Sequence, residues 1–145
     1  MNRKSIIILV LLAAILAAII YTLLIKEPLI EKAIVTDKKS LSETEMLSQA
    51  TDKTGEFILN NNSGIYAIFI VKDLEIGNSI NIKWFMVKNT KEELIQEDSF
   101  VTKKEGSGQI ATGLIMQNSS YEPGIYRMKY SLSGGPPISL DFSVK

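Results

Sequence analysis

The sequence predicts an all-β protein behind one N-terminal transmembrane helix: an antiparallel β-sandwich of about seven strands. Three observations carry that expectation. Residues 6–25 read IIILVLLAAILAAIIYTLLI, twenty residues without a charge. From Gly55 onwards, apolar and polar residues alternate with the period of two that half-buried strands require. Between the alternating runs, Gly, Pro and Asn recur at turn-like intervals.

The chain divides into a cytoplasmic tail (1–5), the transmembrane helix (6–25), a polar stalk (26–54) and the sandwich (55–145). At about 1.5 Å per residue the apolar run spans roughly 30 Å, the thickness of a bilayer's hydrocarbon core. Its alanines, Ala13, Ala14, Ala17 and Ala18, contain no A-x-A pair, and the run continues past them to Ile25. A signal peptidase site needs such small residues two apart, so the segment reads as a retained signal anchor. Arg3 and Lys4 precede it, whereas Lys26 and Glu27 cancel after it. Positive charge stays inside, which puts the N-terminus in the cytoplasm and the C-terminal domain outside the cytoplasmic membrane. Tyr21 and Thr22 fall in the outer third, where an aromatic ring approaches the headgroups. Ala13/Ala17 and Ala14/Ala18 form two overlapping small-xxx-small pairs on the helix, a pattern that lets transmembrane helices pack closely.

In the stalk, Leu29, Ile30, Ala33, Ile34 and Val35 suit a first strand ending at Thr36-Asp37. Ser40-Leu41-Ser42-Glu43 fits a capping box, with Leu41, Met46, Leu47 and Ala50 as the apolar side of a short helix. An unstructured spacer accounts for the same composition. Either reading holds the domain off the membrane.

Beyond Gly55, strands are expected at 56–59, 65–72, 79–87, 94–102, 109–116, 124–132 and 138–145. The alternation is cleanest in Ile80-Asn81-Ile82-Lys83-Trp84, in the run from Tyr126 to Leu132, and in the run from Ile138 to Lys145. The predicted core comprises Tyr66, Ile68, Ile70, Ile80, Ile82, Trp84, Tyr126, Met128, Tyr130, Leu140 and Phe142. Residues 66–71 are apolar on both faces and mark a central strand. The last hairpin closes through Ser133-Gly134-Gly135-Pro136-Pro137, where the prolines stop the ladder.

Trp84, Tyr126 and Met128 suggest a relationship. A Trp on the third core strand, and a Tyr two residues before a core position on the penultimate strand, are immunoglobulin-like hallmarks. Residues 55–145 therefore resemble an immunoglobulin-like module of membrane-anchored exported prokaryotic proteins, without the disulfide. The resemblance implies Ile70 and Met128 where that fold's paired cysteines stand. It speaks to fold and leaves activity open.

Composition closes off several chemistries. There is no Cys and no His, which removes Ser-His-Asp and Cys-His catalysis, most zinc sites and lipid acylation at a thiol. Taking Arg3 and Lys4 from the sixteen basic residues leaves fourteen against sixteen acids outside, a poor match to nucleic acid. Asp73, Glu75 and Asn78 lie in one connection but lack the spacing of a calcium loop. Glu92-Glu93 and Glu97-Asp98 read as charges guarding an edge strand. Ser107-Gly108 and Ser133-Gly134-Gly135 read as turns, and Asn61-Asn62-Ser63 and Asn118-Ser119-Ser120 as glycosylation patterns in loops.

No catalytic residue, metal ligand or cofactor is expected. The expected function is a non-enzymatic, single-span, membrane-anchored module that contacts an envelope component or another copy of itself. The alternatives are a cleaved secreted binding domain, a surface-filament accessory subunit, and a carboxylate-based hydrolase or small-ligand binder. A pilin-type processing glutamate is missing, because 6–25 contains no acid.

Overall fold

In the computed structural model the described residues are 3–24, 28–42, 44–45, 56–57, 64–115 and 121–145. One helix, α1 (Arg3–Leu24), precedes eight strands: β1 (Leu29–Thr36), β2 (Glu56–Phe57), β3 (Ile65–Leu74), β4 (Ser79–Lys88), β5 (Lys91–Val101), β6 (Gly106–Leu114), β7 (Gly124–Leu132) and β8 (Ile138–Val144). The described strands form a three-stranded sheet ordered β1-β3-β6 and a five-stranded sheet ordered β2-β8-β7-β4-β5. All neighbours are antiparallel except β2, which runs parallel to β8. The all-β expectation holds.

The two sheets share one core. Ile65, Ala67, Phe69 and Val71 from β3 pack with Ile80, Ile82, Trp84 and Met86 from β4, and with Tyr126, Met128, Tyr130, Phe142 and Val144 from β7 and β8. Trp84 is fully buried beside Met128, its register partner. Its ring meets Phe142 edge-on at 6.1 Å, and Tyr126 stacks on Phe142 at 5.5 Å. Phe69 bridges the two layers, its ring 5.2 Å from that of Tyr130. Such aromatic pairs add about 0.5–1.5 kcal/mol beyond the area they bury.

Two expectations need correction. Ile68 is fully buried as expected, but in a second cluster on the outer face of β3, where Tyr66 and Ile70 also lie, while 65, 67, 69 and 71 face the core shared by the two sheets. Both faces of this central strand are apolar, so alternation carried no phase information. Ile70 therefore does not oppose Met128. The sandwich also starts earlier than Gly55, because β1 pairs along β3 from Leu29↔Lys72 to Thr36↔Tyr66. Ala33 and Val35 pack against the shared core, which draws the front of the supposed stalk into the domain. Glu43, the partner expected for Ser40, lies outside the described residues, and a capping box is seen at Ser42 and Glu45. Ser42 and Glu45 exchange hydrogen bonds, Glu45 N–H to Ser42 Oγ at 3.3 Å and Ser42 N–H to Glu45 Oε2 at 2.9 Å. Thr44 and Glu45 are helical. Met46, Leu47, Ala50 and both glycosylation patterns lie outside the described residues, as do the side chains of Tyr21 and Thr22.

Leu41 is buried on the outer face of the smaller sheet with Ile34 and Ile68, and Ile70 packs against them. Gln109 holds this segment down by donating from Nε2 to the Leu41 carbonyl at 3.1 Å. The β4–β5 hairpin turns through two residues, Asn89 (φ 49°) and Thr90 (φ 67°), the double positive φ of a type I′ turn.

Every side chain described in α1, over 10–20, is exposed, Ala13, Ala14, Ala17 and Ala18 included. Side chains are described only over 10–20 of α1, and among these described residues no helix is long and apolar enough to cross a membrane.

Candidate interaction surface

The surface of the sandwich divides into an outer sheet face held by ion pairs and a strand edge held by one amide. On the outer face of the larger sheet, Phe85 of β4 lies between β5 and β7. Arg127 forms a bidentate pair with Asp141 (2.5 and 2.6 Å) and reaches Glu92 Oε1 at 2.8 Å. Lys129 binds the other Glu92 oxygen at 2.5 Å, and its ammonium sits 5.0 Å from the Phe85 ring centroid. The three charges form a strap across Phe85. Hydrogen bonds from Lys129 first, and then Arg127, hold the Glu92 carboxyl below its ordinary value; Arg127 does the same to Asp141. The same partners push the Arg127 guanidinium higher still.

The second region lies where β5 of one sheet meets β6 of the other. A bulge between Trp84 and Phe85 leaves Ile95 as the extra residue of β5. The downstream residues are thereby aimed so that Gln96 and Asp98 point toward β6. Asp98 Oδ2 accepts from Trp84 Nε1 (3.3 Å), Gln96 Nε2 (2.8 Å) and Thr112 Oγ1 (3.1 Å). Gln96 also donates from Nε2 to the Gly113 carbonyl at 2.9 Å and accepts from the Ile115 N–H at 2.8 Å. The Gln96 amide thus bonds the β6 backbone as a neighbouring peptide would. Beyond this cap the β6 edge continues through Ser107, Gln109 and Ala111, and no described strand lies beyond it. Strand β6 carries no charged residue, whereas β5 carries Lys91, Glu92, Glu93, Glu97 and Asp98. An uncharged open edge is the kind to which a further strand adds.

The sequence-predicted polar candidates do not converge. Adjacent residues of a strand point to opposite faces, so Glu92 and Glu93 separate, as do Glu97 and Asp98. Glu97 pairs with Lys83 at 3.1 Å. Asn78 accepts the Glu75 N–H through Oδ1 at 2.6 Å and donates to Ser133 Oγ at 3.2 Å, tying two turns together. The Asp73 N–H bonds Ser107 Oγ at 3.1 Å. Among the described residues no group of three acidic side chains is placed to hold a metal ion. Trp84 and Tyr126, by contrast, are brought into one core. Tyr126 donates its hydroxyl to the Glu122 carbonyl at 2.7 Å, and burial pushes its phenol upward. The Gln96–Asp98 junction had no sequence signal, because the bulge that creates it breaks the alternation of β5.

No family model matches the chain, and no curated protein does. Among solved structures, one that is similar in part is a Pseudomonas fluorescens alkylpurine DNA glycosylase, AlkC, bound to DNA containing an abasic site analog. The match covers 61% of this chain at 14% identity with a TM-score of 0.35, and the chain spans 27% of that protein's length.

Proposed function

We propose that this protein is a non-enzymatic, single-span membrane protein whose extracytoplasmic immunoglobulin-like sandwich makes protein contacts along the β6 edge. The observation that carries the reading is the uncharged edge of β6 beside the heavily charged edge of β5. An edge left without charge has not been protected against strand addition. The immunoglobulin-like assignment draws support from the strand order β1-β3-β6 against β2-β8-β7-β4-β5, from the buried Trp84 on β4, and from the Tyr126 hydroxyl bonded back to Glu122. The uncharged run 6–25, long enough for one crossing, supports the anchor, and Arg3 and Lys4 support the N-inside orientation.

Site-specific photocrosslinking in intact cells tests the contact. A crosslinking residue replacing Ala111, on β6, should yield a discrete adduct that the same residue at Glu97, on β5, does not. Equal labelling at both positions removes the β6 assignment. Alkaline carbonate extraction of the membranes tests the anchor independently.

A further inference from the structure

The end of the sandwich nearest the helix exposes five large apolar side chains. Chain register defines that end: it holds the start of β1 (Leu29↔Lys72), the β3–β4 turn, the end of β5 (Ser79↔Val101) and the β7–β8 turn. Backbone bonds tie these pieces together, Gly77 N–H to the Thr102 carbonyl at 3.0 Å and Ser133 N–H to the Ser79 carbonyl at 2.6 Å. Here stand Ile76, 67% exposed, Val101 and Ile138, each 52% exposed, and the half-exposed Leu29 and Phe100. Lys103 and Lys104 flank them in the β5–β6 turn, with Glu75 and Glu105 nearby. Among the described residues the far end carries fewer such side chains, Ile115 (75% exposed) and Ile125 (52%) being two of them.

We propose that this end docks on the bilayer, with Ile76 and Val101 lying in the headgroup region and Lys103 and Lys104 extending to lipid phosphates. The inference rests on α1 crossing the membrane, as proposed above. Only residues 25–28 separate Leu24 of α1 from Leu29 of β1. Extended, that connection reaches no more than about 18 Å. The ten-residue β3 is itself about 33 Å long, so only the near end of the sandwich stays within reach of the surface. Because β1 belongs to the domain, the stalk that would have lifted it away is gone. Apolar side chains held at a membrane interface bury there, and lysine stems extend along the apolar surface while their ammonium groups stay in water. The lipid surface is thus the occupant that chain length and composition jointly select.

The test uses the full-length chain in vesicles of phosphatidylcholine and phosphatidylglycerol. The sequence has no Cys, so single-cysteine variants report one place each. Ile76→Cys, Val101→Cys and Ile115→Cys each carry an environment-sensitive fluorophore, and spin-labelled lipid is the quencher. The labels at 76 and 101 should be blue-shifted and quenched several-fold more than the label at 115. Equal, water-like emission at all three positions in a carbonate-resistant chain overturns the docking while leaving the anchor standing. Release of the chain by carbonate overturns both.

Discussion

The two sheets share a core yet treat their outer faces differently, and the difference shows what each layer is built to resist. The larger sheet spans Phe85 on its outer face with the Arg127–Glu92–Lys129 strap. The smaller sheet covers its outer face with chain, burying Leu41 over Ile34 and Ile68. The first arrangement costs the chain no extra residues but responds to protons and salt. The second is insensitive to both, and needs the segment after β1 to stay seated. Trp84→Ala strikes the core common to both sheets and should cost about 3–5 kcal/mol, a large share of the roughly 5–15 kcal/mol that holds a domain folded. Chemical denaturation followed by far-ultraviolet circular dichroism measures it. Retention of a cooperative transition near the parent midpoint would mean that the sheets do not depend on a shared core.

The pattern of alternation explains how far the architecture was legible. In β7 and β8, and in β4 as far as Lys83, a polar outer residue follows each buried one, and this set the phase of Ile80, Trp84, Tyr126, Met128 and Phe142 correctly. In β3 the outer positions are themselves apolar because Leu41 and Ile34 cover them, so phase could not be read. Strand β1 was visible as an apolar run, but its membership of the sheet depends on a partner some forty residues away. The two serines at 40 and 42 each precede an acid by three positions, so spacing alone offers two capping boxes, of which Ser42 with Glu45 is formed. Of the candidate surface, the edge charges of β5 were legible and the Gln96 cap was not.

The junction between the sheets ranks next in expected effect. Asp98→Ala leaves Trp84 Nε1, Gln96 Nε2 and Thr112 Oγ1 without their shared acceptor, a loss of about 1–3 kcal/mol. Asp98→Asn keeps an acceptor and should recover part of it. If both variants match the parent in denaturant midpoint, the junction is decoration on two sheets already joined by their core.

Leu41→Ala separates the two outer-face strategies. Because Leu41 is held by one segment rather than by a surrounding core, its loss should sit near the low end of large-to-small substitutions, about 2 kcal/mol. Hydrogen exchange should then quicken along β1 and the outer positions of β3 and leave β7 protected. Uniform quickening in both sheets would show that the Leu41 cluster is continuous with the main core.

Thr90 lets the β4–β5 hairpin be improved. A β-branched residue at φ 67° is strained, and Asn-Gly is the favoured pair for this turn. Thr90→Gly should therefore raise stability by roughly 0.5–1 kcal/mol, since relief of backbone strain outweighs the added freedom of the unfolded chain. A lowered melting temperature would mean that the Thr90 side chain contributes more than its backbone costs.

The smallest effect belongs to acid, and it distinguishes the strapped face from the covered one most directly. Glu92 and Asp141 titrate below their ordinary values of 4.5 and 3.8 in the folded chain. Their contribution to stability is therefore fully present above the unfolded values and is lost as pH falls through the lowered folded ones. The melting temperature should hold steady from neutrality to about pH 5, then decline, more steeply at low salt. Glu45, held at about 2 by Lys38 and Ser42, adds to the same slope. In the Glu92→Gln, Asp141→Asn variant the decline should be shallower, whereas Leu41→Ala should lower the whole curve without changing its slope. A double variant with the parent's full acid slope would place the sensitivity elsewhere and leave Phe85 held by packing alone.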